Sequence, residues 1–326
     1  MVSKRVIMTA CLSKGHTMQA VMQSTFDFLP NAQNALSKPS ELRLVNGNEK
    51  PFKSQLLKWV GNKQRFAHEI ISYFPKNYGT YFEPFLGSGA VLGTLAPTNA
   101  IGSDVFQPLI EIWENLKNNP EIIVRWYKER HELISGDNKK EVYASILDSY
   151  NKNPNGADFL FLTRTCYGGV VRFRKDGYMS TPCGVHKPMP PKTFATRVHE
   201  WNKRTKNVEF VCQDYKVAFD LAKAGDLIYC DPPYSHSQAI LYGAQSFSLQ
   251  ELFDRIAFAK KRGVYVVLSI DGSKQTNKCL LELNVPAGVF EEEAYVNCGR
   301  SMLKRFQMEG ESLENHVVTD RLLLTY

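Results

Sequence analysis

The sequence has no cysteine pair of the kind that binds zinc or forms a redox-active disulfide. Its seven cysteines stand singly at positions 11, 166, 183, 212, 230, 279 and 298, and none forms a C-x-x-C motif. Zinc sites and redox motifs need such local pairs, and a disulfide framework needs an even number of cysteines. The cysteine pattern therefore predicts no metal site, no redox motif and no disulfide-stapled fold.

Long hydrophobic runs are also absent, since no stretch approaches the roughly 20 apolar residues that cross a bilayer. The apolar run Val6–Leu12 follows Lys4 and Arg5 as in a signal peptide, but Lys14, Gly15 and His16 follow without a small-residue cleavage site. Hydrophobic residues at 43% and charged residues at 22% are typical of a globular protein. We therefore expect a cytoplasmic location without membrane attachment.

Two glycine-rich nucleotide-binding motifs are missing. The chain has neither the G-x-G-x-x-G of dinucleotide folds nor the G-x-x-x-x-G-K-S/T phosphate loop. One G-x-G is present, because Gly87, Ser88 and Gly89 follow a predicted strand that carries Glu83. Asp104 ends the next predicted strand, where an acidic side chain can accept hydrogen bonds from both ribose hydroxyls. These features favour an adenosine-containing ligand without a long phosphate tail, although glycine in such a turn also serves plain geometry.

The apolar segment Leu227–Cys230 predicts a buried strand that ends in Asp231, Pro232, Pro233 and Tyr234. The exocyclic amino group of a nucleobase is a poor nucleophile because its lone pair is delocalised into the ring. The Asp231 carboxylate and the Pro232 carbonyl can accept its two N–H bonds, and Tyr234 can stack on the base. The prolines hold such a loop at little entropic cost. A proline-rich turn that ends a strand, with tyrosine as core, is the alternative.

Positive charge is concentrated in one part of the chain. The formal net charge is +7, yet residues 164–206 alone hold ten Lys or Arg against Asp176 and Glu200, a net charge of +8. A localised excess of this kind is typical of a surface that binds a polyanion. The alternative is a solvated basic face.

Apolar periodicity divides the chain into four parts. Residues 1–50 show no sustained periodicity and are interpreted as an N-terminal extension of unknown function. Residues 51–117 and 207–326 alternate strand and helix signals and are predicted to form one catalytic domain. Residues 118–206 lose that alternation and hold the basic excess, which predicts an inserted target-recognition domain. The order predicts an α/β fold with a doubly wound, mostly parallel Rossmann-like sheet and a helical and hairpin insertion.

Individual strands and helix ends are also predicted. Ser248 and Glu251 form a capping box before a helix that Gly263 ends, and Pro108 begins another helix. The predicted strands are Tyr81–Phe85, Ala100–Asp104, Val208–Cys212, Leu227–Cys230, Val264–Ser269, Glu293–Cys298 and Arg321–Tyr326.

Taken together, five motifs resemble those of the α-class, Dam-like DNA adenine-N6 methyltransferases. They occur in the order of that family and span about residues 51 to 326. The motifs are Lys58–Lys63 (KWVGNK), Phe82–Gly89 (FEPFLGSG), Asp104, Asp214–Tyr215 and Asp231–Tyr234 (DPPY).

The resemblance implies S-adenosylmethionine as the cofactor and suggests which residues bind it. Asp104 matches the acid that binds ribose, Asp214 the residue that reads the adenine amino group, and Tyr215 the ring that packs on adenine. Asp231 is expected to lie beside both the cofactor and the base. The residues matched to the amino-acid end of the cofactor are Trp59, Lys63, Phe85, Gly87, Ser88 and Gly89.

The resemblance also implies double-stranded DNA as the partner, with the target base flipped out of the duplex. The segment Tyr167–Arg172 resembles a recognition hairpin in which Tyr167 inserts between bases and Arg172 reads a base edge. Further basic residues are expected to contact phosphates, which positions the enzyme without specifying sequence. They are Arg164, Arg174, Lys175 and Lys187.

The hairpin departs from the GATC-reading members of the family. Those members commonly carry asparagine where this chain has Gly168, an Asn-x-Pro run where it has Ser180–Pro182, and an aromatic where it has His186. A GATC target is therefore doubtful, and the recognised sequence stays open.

The main hypothesis is site-specific methylation of adenine N6 in duplex DNA. Methylation of adenine N6 in RNA or of cytosine N4 is the alternative, because related motifs serve those amino groups. Methylation of a protein glutamine is disfavoured, because asparagine usually opens that tetrapeptide, and a regulator without catalysis is disfavoured by complete motifs. The protein is expected to be nucleoid-associated and of bacterial or phage type. A cognate restriction endonuclease and the oligomeric state are left open.

Overall fold

A seven-stranded sheet organises the part of the chain described by the computed structural model, which is residues 40–41, 52–59, 61–233, 247–271, 285–299 and 318–326. Two short strands, β1 (Ser40–Glu41) and β2 (Asn77–Tyr78), pair with each other outside that sheet. The strands of the sheet are β3 (Tyr81–Glu83), β4 (Ala100–Asp104), β5 (Val208–Cys212), β6 (Leu227–Cys230), β7 (Tyr265–Asp271), β8 (Glu292–Gly299) and β9 (Val318–Leu324).

The strand order is β5-β4-β3-β6-β7-β9-β8. Strands β3 to β7 pair in parallel, whereas β9 is antiparallel to both of its neighbours, β7 and β8. Chain connections run outward in opposite directions from β3, because β4 lies on one side of it and β6 on the other. A reversal of this kind leaves a crevice at the carboxyl ends of the strands, where ligands bind in open α/β sheets. The predicted doubly wound, mostly parallel sheet is confirmed.

The register of the sheet brings two predicted motifs to the same edge. Phe82 of β3 lies opposite Ile228 of β6, so the chain leaves both strands at neighbouring points. All four residues of β6 are buried, as expected of a strand covered on both faces. Glu83 and Asp231 therefore both face the crevice.

Helices cover the sheet and form the insertion. They are α1 (Ala67–Ser72), α2 (Ala90–Leu95), α3 (Gln107–Asn118), α4 (Pro120–Glu132), α5 (Lys139–Lys152), α6 (Gly156–Thr165), α7 (Pro191–Arg204), α8 (Tyr215–Leu221) and α9 (Leu249–Lys261). The Ser248 hydroxyl accepts the Glu251 backbone N–H at 3.3 Å, so Ser248 caps the helix as predicted. The Glu251 carboxylate instead pairs with Lys216 at 2.7 Å. Within the described ranges, no helix combines the length and apolar character that a bilayer crossing requires.

The insertion shares its core with the sheet. Trp113 of α3 stacks on Phe210 of β5 with ring centroids 5.6 Å apart, and it also contacts Trp201 of α7 at 5.3 Å. Phe159 of α6 belongs to the same buried cluster. The described residues accordingly form part of one compact unit, residues 40–326. The domain boundaries at 117 and 206 stay predictions.

Helices α6 and α7 fix the segment that precedes the first motif. The Trp201 indole N–H donates to the Ser54 carbonyl at 2.9 Å, and Arg197 donates to the Gln55 carbonyl at 2.9 Å. Arg164 of α6 donates to the Leu56 carbonyl at 2.6 Å. Three side chains therefore hold residues 54–56, and this places the following residues beside the sheet.

The predicted phosphate contact of Arg164 is wrong. Its side chain is only 6% exposed, lies over the Phe194 ring and donates to backbone carbonyls. Burial lowers the pKa of its guanidinium to about 10. The basic segment thus contains both exposed residues and a buried arginine that bonds to the backbone, and the local sequence does not distinguish the two kinds.

Candidate active site

A cavity of about 350 Å³ opens at the carboxyl ends of β3, β4 and β6. It brings together residues from all five sequence motifs. Gly89 does not line the cavity and packs instead against Trp113, where a Cβ atom would lie 3.2 Å from the indole ring. Tyr234 lies outside the described residues. The predicted residues that line the cavity are Trp59, Lys63, Phe85, Gly87, Ser88, Asp104, Asp214, Tyr215, Asp231, Pro232 and Pro233.

The glycine-rich loop presents bare backbone at Gly87. This residue has a φ of 46°, in the left-handed region that favours glycine, and a Cβ there would lie 3.0 Å from the Trp59 Nε1 atom. The Trp113 indole N–H donates to the Gly87 carbonyl at 3.2 Å. The loop is thus held in place and has no room for a side chain, as expected where a ligand approaches the main chain closely.

Asp104 joins this loop to the end of β4. Its Oδ2 atom accepts the Gly87 N–H and its Oδ1 atom accepts the Phe106 N–H, each at 3.1 Å. Burial raises the pKa of the carboxyl to about 6, although the backbone N–H donors lower it. The group is therefore ionised at neutral pH, and each oxygen keeps a second lone pair for a ligand.

An aromatic wall lines the opposite side of the cavity. Phe85 and Tyr215 are stacked with centroids 5.1 Å apart and an interplanar angle of 25°. Phe247 packs edge-on against both, at 5.7 and 5.8 Å. Asp214 caps α8 by accepting the Lys216 backbone N–H at 2.9 Å. Phe247 was not predicted, because a lone phenylalanine before a helix has no distinguishing sequence signal.

Asp231 lies next to a buried ammonium group. The Lys63 Nζ atom is 3.2 Å from Asp231 Oδ1 and 3.0 Å from Asp320 Oδ2. Lys63 is only 5% exposed, so its charge is balanced within the protein. The sequence predicts Lys63 as a cofactor contact but indicates neither of these ion pairs. Asp320 lies on β9, far from every motif in the sequence.

Glu83 is a second carboxyl group beside Asp231. The Tyr81 hydroxyl donates to Glu83 Oε2 at 2.6 Å, and both side chains are buried. Burial raises the pKa of Glu83 to about 8, and the neighbouring Asp231 charge acts in the same direction. Glu83 is therefore mainly protonated at neutral pH. The sequence indicates its position at the strand end but not its neutral state.

The predicted hairpin is present as an irregular two-stranded ribbon over residues 166–184. Phe173 forms a bridge with Met179, and the Arg174 N–H donates to the Tyr178 carbonyl at 2.9 Å. Gly177 has a φ of 83° in the turn, as only glycine adopts readily. Phe173 and Met179 are buried, so the ribbon is anchored by one face.

The other face of the ribbon is exposed and basic. Arg172, Arg174 and Lys175 are exposed, and the Arg174 guanidinium lies 4.6 Å from the centre of the Tyr178 ring. Tyr167, at the base of the ribbon, is 42% exposed. Lys187 is exposed just beyond the ribbon. Apart from Arg164, the residues predicted to contact DNA thus lie at the surface.

Comparison with known proteins agrees with this arrangement. A family model for D12 class N6 adenine-specific DNA methyltransferases matches residues 59–297. Type II methyltransferase M.MjaIII of Methanocaldococcus jannaschii is 32% identical over 251 residues, which cover 68% of this chain and 83% of that protein. Type II methyltransferase M1.LlaDCHI of Lactococcus lactis subsp. cremoris is 26% identical, with 73% and 87% covered.

A third relative is the DNA adenine methylase of Vibrio cholerae, 27% identical over 234 residues, which cover 68% of this chain and 83% of that protein. The region matched by the family model contains the cavity residues from Trp59 to Asp231 and the whole ribbon. The chain belongs to the D12 class N6 adenine-specific DNA methyltransferase family.

Proposed function

We propose that this protein transfers a methyl group from S-adenosylmethionine to N6 of adenine at a specific site in duplex DNA. One observation carries the proposal: Asp231 shares a single cavity with the Gly87 loop and with Asp104. A group suited to an amino nitrogen and groups suited to an adenosine ligand therefore face the same space. The family of the chain supports adenine in DNA as the substrate.

The cavity wall fits the cofactor chemically. Gly87 allows the main chain to approach the amino-acid end, because a side chain there would meet Trp59. The Asp104 carboxylate can accept hydrogen bonds from two ribose hydroxyls, and the Tyr215 ring, which stacks on Phe85, can pack against adenine. When bound, S-adenosylmethionine supplies a methyl group on a sulfonium that is already activated.

Asp231 and the Pro232 carbonyl prepare the target nitrogen. Each accepts one N–H of the exocyclic amino group, which draws the nitrogen toward a tetrahedral, nucleophilic state. Lys63, 3.2 Å away, favours the ionised form of Asp231. After transfer, the surplus proton on nitrogen leaves to solvent. Tyr234 is expected to stack on the flipped base.

The ribbon supports duplex DNA as the substrate. A two-stranded β-ribbon fits the major groove, and an arginine there can donate two hydrogen bonds to guanine. Arg172 is proposed to read a base edge, and Tyr167 to fill the gap that the flipped base leaves. Arg174, Lys175 and Lys187 are proposed to contact phosphates. Residues 118–206 then act as the target-recognition domain.

The relatives' names extend the proposal to biological context. Two of them are Type II methyltransferases, which supports a role in restriction-modification with a cognate endonuclease of the same specificity. The protein would then act on DNA in the cytoplasm, at the nucleoid. Digestion of methylated and unmethylated host DNA by an extract of the source cells would test this role.

The activity is tested by incubating the purified protein with labelled S-adenosylmethionine and genomic DNA, followed by nucleoside analysis. N6-methyladenine in DNA is expected, and sequencing of the methylated sites gives the target sequence. Transfer to cytosine N4, or to RNA but not DNA, would support the alternative substrates. Cofactor binding without transfer to any of these nucleic acids would contradict the proposal.

A further inference from the structure

We infer that Asp320 is a positioning residue for methyl transfer. Its carboxylate partly neutralises the Lys63 ammonium, so Lys63 withdraws less electron density from Asp231, and Asp231 remains a stronger hydrogen-bond acceptor. The inference rests on the proposed role of Asp231. Asp320 lies on β9, outside every motif identified in the sequence. It reaches the site only because β9 is the next strand beyond β7, which itself neighbours β6.

The geometry places one ammonium group between two carboxylates. Lys63 Nζ lies 3.2 Å from Asp231 Oδ1 and 3.0 Å from Asp320 Oδ2. The side chains of Lys63 and Asp320 are 7% and 9% exposed. Asp320 Oδ2 makes no directed hydrogen bond within the described chain, so its contact with Lys63 is mainly one of charge.

Charge balance gives this contact a consequence for Asp231. One ammonium cannot neutralise two carboxylates, so the three groups keep a net negative charge in a site of low dielectric constant. If Asp320 were neutral, Lys63 would pair with Asp231 alone and draw electron density from its oxygens. Asp231 would then accept the amino N–H less strongly. Asp320 thus allows Lys63 to be buried without weakening Asp231.

Asp320→Asn tests the inference, because it removes the charge and keeps the shape. The rate of methyl transfer is measured in a single turnover, together with KM for S-adenosylmethionine and for DNA. We expect the rate to fall about tenfold, with each KM within about twofold of wild type. Arg321→Gln is the matched control: Arg321 follows Asp320 on β9 and pairs with Glu293 of β8, and loss of this ion pair should leave the rate unchanged.

The pH profile separates a charge effect from a loss of structure. Removal of a nearby negative charge favours the ionised form of Asp231, so the acid limb of the profile should move to lower pH. Glu83 and Cys230 also face Asp231, and the profile is therefore repeated in a Glu83→Gln background. A merely structural role would lower the thermal unfolding temperature and leave the acid limb in place.

A wild-type rate for Asp320→Asn, or a lower rate with an unmoved acid limb, would overturn the inference. If this variant does not fold, Asp320→Glu is measured instead. It keeps the charge, so the limb should stay in place, and a shifted limb would overturn the inference. Failure of the proposed function is a separate result, because wild-type protein would then transfer no methyl group to DNA.

Discussion

At the scale of single residues, the proposed transfer depends most directly on Asp231. Asp231→Ala should abolish methyl transfer and leave DNA binding largely intact, because the carboxylate acts on the amino group and not on the duplex. Labelled methyl incorporation and a gel shift are measured on the same preparation. If the variant keeps more than about a tenth of wild-type turnover, the substitution raises the activation free energy by less than about 1.4 kcal/mol, and the role is excluded. Asp220→Ala, at an exposed ion pair with Arg255, serves as the control.

Asp104 should control cofactor affinity more than chemistry. Ribose contacts are made equally in the ground and transition states, so Asp104→Ala should raise KM for S-adenosylmethionine with a smaller effect on kcat. The expected loss is that of hydrogen bonds to a charged group, about 1.5–3 kcal/mol or roughly ten- to a hundredfold. A cofactor titration in steady state measures it, and an unchanged KM would refute the assignment.

The pKa of Asp104 adds a pH dependence to the same prediction. Burial raises that pKa to about 6, so the wild-type carboxyl becomes protonated as pH falls from 7 to 5. A neutral carboxyl accepts hydrogen bonds less strongly, and the cofactor KM should rise over this range. Asp104→Asn, which does not titrate, should have a weak but nearly constant affinity between these pH values.

At the scale of elements, the ribbon should contain two kinds of basic residue. If Arg172 reads a base edge, Arg172→Ala should cost about 1–3 kcal/mol and relax discrimination at one base pair. Lys187→Ala should instead weaken binding to every duplex and reduce the salt slope by about one unit. Binding to cognate and singly substituted duplexes across a salt series measures both effects.

Equal losses on every duplex would place Arg172 among the phosphate contacts and leave the base reader unidentified. Arg164→Ala provides a contrast within the same charged region. Arg164 ties α6 to the carbonyl of Leu56, so its loss should lower the unfolding temperature and leave the salt slope unchanged. The three variants together separate specificity, electrostatic binding and internal packing.

At the scale of the whole molecule, Glu83 should make stability depend on pH. Its pKa is about 8 in the folded protein, above the 4.5 of an ordinary glutamate. The folded state therefore binds more protons than the unfolded state between these values, and the free energy of unfolding should fall as pH rises through them. Asp104 acts in the same direction, but only up to about pH 6.

Glu83→Gln should remove the upper part of this dependence. Between pH 6.5 and 8, we expect the wild-type free energy of unfolding to fall by up to about 2 kcal/mol and that of the variant to stay nearly level. Urea unfolding at several pH values gives both curves. Glu129→Gln, on the exposed face of α4, should keep the wild-type slope. Parallel curves for wild type and Glu83→Gln would show that Glu83 ionises normally.

The local sequence was sufficient for features that depend on neighbours along the chain. The strands, the helix N-cap at Ser248 and the turn at Gly177 follow from apolar periodicity and from local backbone preferences. Gly87, Asp104 and Asp231 could be assigned because parallel strands end at one edge of a sheet. Their motifs therefore had to meet once the α/β order was recognised.

Contacts between distant segments depended on the fold and could not be predicted in the same way. Lys63 meets Asp320 because β9 inserts antiparallel beside β7, and no local pattern encodes that neighbour. Arg164 has the same sequence character as the exposed Arg174, yet packing of α6 against residues 54–56 buries it. Burial also makes Glu83 neutral, because the cost of desolvation is set by all the surrounding atoms rather than by adjacent residues.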